Sequence, residues 1–212
     1  MPDFLAPRAC FRDPIPEIFH AAELLDRAVD AHLAGDRALT ARLIASADMP
    51  KVREWVESIW GSASRDIHRV REVMGSPPKL GRDDRQRDPR HHATRGQERA
   101  LIERDGFRCG FCGIPVVRTE IRQAMHRDYP RALPWGRKNA EQHAAFQCLW
   151  MQFDHVLPHS RGGRTDLDNL VVTCGPCNYG RSEATLEEVG LVDPRTRPLP
   201  RTGWDGLERF LS

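Results

Sequence analysis

The chain has 212 residues, of which 40% are hydrophobic and 29% charged, and its net charge is +2. That balance excludes a wholly disordered chain and a polycation, and it leaves room for one larger domain or two small ones. No apolar run approaches the roughly 18 residues that span a bilayer, and the start MPDFLAPRACFRDP lacks a signal-peptide layout, so the expectation is a cytoplasmic protein without a membrane partner.

Residues 1–78 read as a helical region of unknown role. Ile18, Ala22, Leu25, Val29 and Leu33 recur at steps of three or four and share one helix face. Gly35-Asp36 ends that run. Leu39, Leu43, Ile44 and Ala47 suggest a second helix, and Pro50 suits the first turn of a third carrying Val52, Trp55, Val56, Ile59 and Trp60. Residues 79–93 are rich in Gly, Pro and charge and read as a linker or exposed loop, His91-His92 included. Thr94 is the expected N-cap of a short helix ended by Gly106.

From there a domain is expected over 94–190, with a basic, helical insert at 118–147 broken at Pro130 and Pro134-Trp135-Gly136. The insert suits either DNA contact or extra packing. The stretch 148–158 has strand composition, a turn-rich loop follows, and LVVTC at 170–174 is a second strand. A helix is predicted over 178–189. The tail, 191–212, is expected to pack on the core. The basic excess of the chain lies in residues 79–212, while 1–78 are slightly acidic, which fits a nucleic-acid partner on the same side as the chemistry.

Cys109-x-x-Cys112 and Cys174-x-x-Cys177 form two pairs, each in a turn with Gly or Pro. Four thiolates so placed suit one tetrahedral zinc, and a closed four-cysteine site is structural because it keeps no open position. In a reducing compartment this reading outweighs disulfides or redox pairs. Cys10 and Cys148 stand apart as buried or incidental cysteines.

Between the pairs lies Asp154-His155-Val-Leu-Pro-His-Ser-Arg-Gly-Gly163, then Asp166-Leu-Asp168-Asn169-Leu170, and Asn178 follows Cys177. A neutral histidine can take a proton from an attacking water. Asp154 is a hard oxygen ligand suited to Mg²⁺ or Mn²⁺. Over roughly residues 95–185 the pattern resembles the HNH endonuclease family: a cysteine pair, Asp-His, a Pro and Gly-Gly loop, Asn, a second cysteine pair, and a final His or Asn. The resemblance implies an α+β fold, with an N-terminal helical region followed by a ββα-metal nuclease domain. It implies Asp154 and Asn178 on a catalytic Mg²⁺ or Mn²⁺, His155 as general base, and Asn169 holding the loop. It also implies DNA as substrate, with RNA as the alternative. His159, Arg161, Arg164 and Arg181 are candidate phosphate contacts. Each has a plain reading beside it, as an ordinary loop or solvated residue. The 41 residues between Cys112 and Asp154 exceed a minimal module. One such site cuts one strand, so double-strand cutting calls for a homodimer or two nicks. The competing class is a zinc-stabilised DNA-binding module without catalysis, which would not need Asp154, His155 and Asn178 together.

Overall fold

The computed structural model describes residues 7–60, 70–197 and 202–212. Three helices open the chain: α1 (Pro16–Leu33), α2 (Arg37–Ser46) and α3 (Pro50–Trp60). Pro16 and Pro50 each sit in a first turn, where the missing N–H costs nothing. Gly35 takes a left-handed φ of +79° after α1, and the Asp36 carboxylate caps α2 by accepting from Leu39 N at 2.9 Å. Ile18, Leu25, Val29, Ile44, Val52, Val56 and Ile59 are fully buried, so most of the predicted stripe faces the core, but Leu33, in the last turn of α1 before Gly35, is exposed.

Helix α4 (Arg95–Asp105) begins with a capping box in which Thr94 and Gln97 each accept from the other's backbone. Gly106, at φ +72°, ends it. The first cysteine turn follows, then α5 (Thr119–Asp128), α6 (Ala144–Cys148) and the strand β1 (Met151–His155). Strand β2 (Leu170–Cys174) pairs antiparallel with β1, from Met151 opposite Cys174 to His155 opposite Leu170. Helices α7 (Gly175–Arg181) and α8 (Leu186–Val189) complete the unit. The architecture is α+β, with N-terminal helices followed by a strand–strand–helix unit that has one cysteine pair ahead of it and the other at its β2–α7 junction.

Two elements differ from the sequence expectation. Cys148 closes α6 and is not in the strand, which starts at Met151. The single helix expected over 178–189 is two. Ser182 takes φ +51°, and a new capping box between Thr185 and Glu188 starts α8. The break lets the Arg181 side chain fold back to the Ala184 carbonyl at 3.0 Å, a long-range demand that helix propensity does not report.

The insert packs against the N-terminal helices. Tyr129 Oη lies 2.7 Å from His32 Nδ1. Arg53 of α3 donates to the carbonyls of Asn139 and Gln142, and His143 donates from Nε2 to the Ile44 carbonyl at 2.9 Å. The Arg122 guanidinium covers the Trp135 ring at 3.9 Å. The tail closes the same seam, with Phe210 stacked on His32 and Trp204 Nε1 donating to Val116 O. No helix among the described residues is long and apolar enough to cross a membrane.

Helix α3 meets α7 at Gly180, where an added Cβ would stand 2.6 Å from Ile59 Cγ2. Gly180→Ala is therefore expected to cost about 1–3 kcal/mol by overpacking. Gly96→Ala, on the exposed side of α4 with nothing nearer than 3.9 Å, is expected to gain about 0.5–1 kcal/mol from helix propensity. Urea denaturation of both variants checks the pair, and equal effects would contradict the α3–α7 packing.

Candidate active site and metal centre

The four cysteine sulfurs lie within 4.8 Å of one another, and Cys112 Sγ is 3.7 Å from Cys174 Sγ. A tetrahedral zinc with bonds of about 2.3 Å separates its sulfurs by about 3.8 Å, so the nest has the size of a zinc site. Burial pushes the Cys174 thiol up to about 11. Against its own burial, Cys109 is held well below the ordinary thiol value by the other three sulfurs, so the nest tolerates one thiolate; four bare thiolates together are unfavourable, and a divalent cation is the group that would offset the charge. Cys10, pushed up to about 12 chiefly by burial, and Cys148 lie outside this group of four.

The end of β1, the start of the following loop and α7 form one wall of a cleft of 1270 Å³. Asp154, His155, His159, Asn178 and Tyr179 line that wall. The opposite wall is the segment 79–92, which carries Lys79, Arg82, Arg85 and Arg87 but also Asp83, Asp84 and Asp88. This is where the sequence places a linker.

Asp154 is buried. Its Oδ2 accepts from Arg181 Nη2 at 2.7 Å and from Nε at 3.2 Å. Burial raises the Asp154 carboxyl above its ordinary value, and Arg181 opposes that rise. The Arg181 guanidinium has a fully buried side chain and also donates to the carbonyls of His155, Val156 and Ala184. The sequence offered Arg181 as a phosphate contact. Its burial overturns that: Arg181 is an internal clamp on Asp154 and on the end of β1.

His155 Nε2 lies 2.9 Å from Thr165 Oγ1, and its ring lies parallel to that of His91 at 6.0 Å. Burial, then neighbouring His159 and His91, push His155 down to about 4, so the imidazole is neutral near pH 7. His159 is held at both nitrogens. Arg87 Nη2 approaches Nδ1 at 3.1 Å, and Nε2 faces the Asp88 carbonyl at 2.8 Å. An arginine only donates and a carbonyl only accepts, so Nδ1 of His159 accepts, Nε2 donates, and both nitrogens are engaged. It ties the loop to the 79–92 segment and has no free nitrogen for phosphate.

Asn169 donates from Nδ2 to the carbonyls of Leu157 and Arg164 and accepts from Leu157 N at 2.9 Å. It braces the chain as it leaves β1. Asn178 is half-buried at the cleft and makes no side-chain hydrogen bond to the described residues. Arg161 is spent on Pro77 O, Glu183 O and Glu188 Oε2 and lines a neighbouring smaller cavity. Arg164 is exposed beside Asp166 and does not line the cleft. The structure therefore brings Asp154, His155, His159 and Asn178 together, while Arg161, Arg164 and Arg181 stand outside.

Residues 145–190 match the family model described as HNH endonuclease. This segment, under a quarter of the chain, is similar to an HNH endonuclease module. The match spans both strands, α7, α8 and the second cysteine pair, and the first pair lies outside it. No curated protein and no solved structure matches the chain. Proteins of the matched family act on nucleic acid and use metal ions, so the match over 145–190 points to a nucleic-acid substrate and a metal site.

The HNH module's buried pair gives a direct test. Arg181→Met strands the Asp154 carboxylate and is expected to cost about 3–5 kcal/mol. Arg164→Met, at a site where the side chain is 79% exposed, is expected to change stability by less than about 0.5 kcal/mol. Denaturant titration of zinc-loaded protein reads both, and a mild Arg181→Met would contradict the clamp.

Proposed function

We propose that the protein is a metal-dependent endonuclease that hydrolyses DNA phosphodiester bonds in the cleft beside His155. One observation carries the reading: a carboxylate, a neutral imidazole and an uncommitted amide line one cleft within an HNH module. His155 takes the proton of the attacking water, a role that needs an unprotonated ring at neutral pH. Asp154 and Asn178 offer hard oxygen donors that suit Mg²⁺ or Mn²⁺ over softer ions. The Arg181 contacts fall on Asp154 Oδ2 alone, so they do not use the other carboxylate oxygen. The divalent ion, when bound, supplies charge neutralisation at the phosphate and at the leaving oxygen. Asn169 keeps the strand exit in place, and Arg82 and Arg85, which share their wall with Asp83, Asp84 and Asp88, are the side chains of 79–92 offered to the phosphate backbone across the cleft. DNA is preferred to RNA because the resembled family acts mainly on DNA. One site cleaves one strand, so double-strand cutting requires two copies or two successive nicks.

Cys109, Cys112, Cys174 and Cys177 are proposed to hold a structural zinc that clamps the first cysteine turn to β2 and α7. Purified protein is expected to hold one zinc per chain. Stripping it with a strong chelator under reducing conditions is expected to melt the C-terminal half, because zinc binding free energy is folding free energy. Metal analysis with circular dichroism checks this. A zinc-free, fully folded protein with disulfide-bonded cysteines would contradict it.

Plasmid nicking in Mg²⁺, Mn²⁺ or EDTA tests the activity. Wild type is expected to nick with a divalent ion and not in EDTA, and folded, zinc-loaded His155→Ala is expected to lose about 10²–10⁴-fold. Persistent cleavage by His155→Ala would move the active site elsewhere, and no wild-type cleavage with any ion would favour the non-catalytic binding module.

A further inference from the structure

Thr165 is fully buried, and every polar group it has is used. Its backbone N–H donates to Asp88 Oδ2 at 3.0 Å, and its carbonyl accepts from Gln97 Nε2 at 2.9 Å. Its hydroxyl stands between the Arg90 carbonyl, at 2.5 Å, and His155 Nε2, at 2.9 Å. A carbonyl can only accept, so the one hydroxyl proton goes to Arg90 O. Toward His155 the hydroxyl can then only accept, and Nε2 must carry the ring proton. In the neutral ring the lone pair therefore sits on Nδ1, which has no hydrogen-bond partner among the described residues.

We propose that Thr165 is a positioning residue that fixes His155 in the Nε2–H tautomer, leaving Nδ1 as the basic atom, and that the 88–90 segment holds Thr165 in that role. The proposal rests on His155 being the general base. It gives the 79–92 segment a part in the chemistry besides walling the cleft. The Arg90 carbonyl sets the direction of the hydroxyl, the Asp88 carboxylate anchors the Thr165 backbone, and the Asp88 carbonyl accepts from His159. Each hydrogen bond in the chain Arg90–Thr165–His155 has one possible direction.

The spectra use zinc-loaded, Mg²⁺-free full-length protein at pH 8, above the ordinary histidine range, and kcat and KM are read separately with Mg²⁺ added. Nitrogen-15 imidazole spectra are recorded for wild type, Thr165→Val and Thr165→Ser. In wild type, His155 is expected to show a slowly exchanging proton on Nε2 and an unprotonated Nδ1. Thr165→Val keeps the shape and removes the acceptor. It is expected to lose the protected Nε2 proton and to lower kcat about tenfold, the worth of one orienting hydrogen bond, with KM little changed. Thr165→Ser, which restores the hydroxyl, is expected to restore both. A wild-type ring protonated at Nδ1 overturns the proposal whether or not the variants fold. So does a Thr165→Val protein that keeps the protected proton, or one that loses it with kcat unchanged. Cleavage retained by His155→Ala overturns the general base itself, and the spectrum, read without any cleavage, separates that failure from a failure of the Thr165 contact.

Discussion

The buried guanidinium of Arg181 is the interaction on which the site depends. Its donors reach the Asp154 carboxylate and the carbonyls of His155, Val156 and Ala184, so one side chain joins the end of β1 to the end of α7 and the approach to α8. A guanidinium withdrawn from water needs this degree of satisfaction, because an unpaired buried charge costs several kcal/mol. The geometry that satisfies it also fixes the site. Asp154 is pinned through Oδ2, the strand is held where it delivers His155, and α7 is held where it delivers Asn178. The break at Ser182 is part of the same arrangement, since a continuous helix would not bring the Ala184 carbonyl to Arg181.

Around this clamp, two long-range devices keep the small sheet in register. Two five-residue strands bury little surface by themselves. The cysteine nest brings the turn before the insert to the start of α7, and of the N-terminal helices α1 and α3 pack on α6, while α3 also packs on α7. His143 to Ile44, Arg53 to Asn139 and Gln142, and Tyr129 to His32 fasten the insert to α1, α2 and α3. The extra length between Cys112 and Asp154 thus serves packing among the described residues. The cleft is closed on its far side by 79–92, whose contacts with His159 and Thr165 span more than 70 residues of sequence.

Much of this was legible from local pattern. The stripe Ile18–Val29, the Gly35-Asp36 break, Pro50, and the Thr94 and Gly106 boundaries follow from periodicity, capping and φ preferences, all short-range effects. That Asp154, His155 and Asn178 would share one site was an expectation of the resemblance to the HNH pattern, and the three do line one cleft. What escaped was non-local. The segment RDDRQRDPRHH has no periodicity and a high charge, which in isolation means solvation, and nothing in it announces that Asp88 and Arg90 bind Thr165. Arg181, one turn beyond Asn178, looked like a phosphate contact because a basic residue near a nuclease motif usually has access to solvent, and burial is a tertiary fact. The helix expected over 178–189 was divided for the same reason.

The central claim is that water, activated beside His155, cleaves the bond between phosphorus and the 3′ oxygen. Single-turnover cleavage of duplex DNA in ¹⁸O-labelled water, with the ends read by mass spectrometry, tests it most directly. The account predicts a 5′-phosphate carrying one ¹⁸O and an unlabelled 3′-hydroxyl. A 3′-phosphate, or unlabelled 5′-phosphate ends, would contradict it.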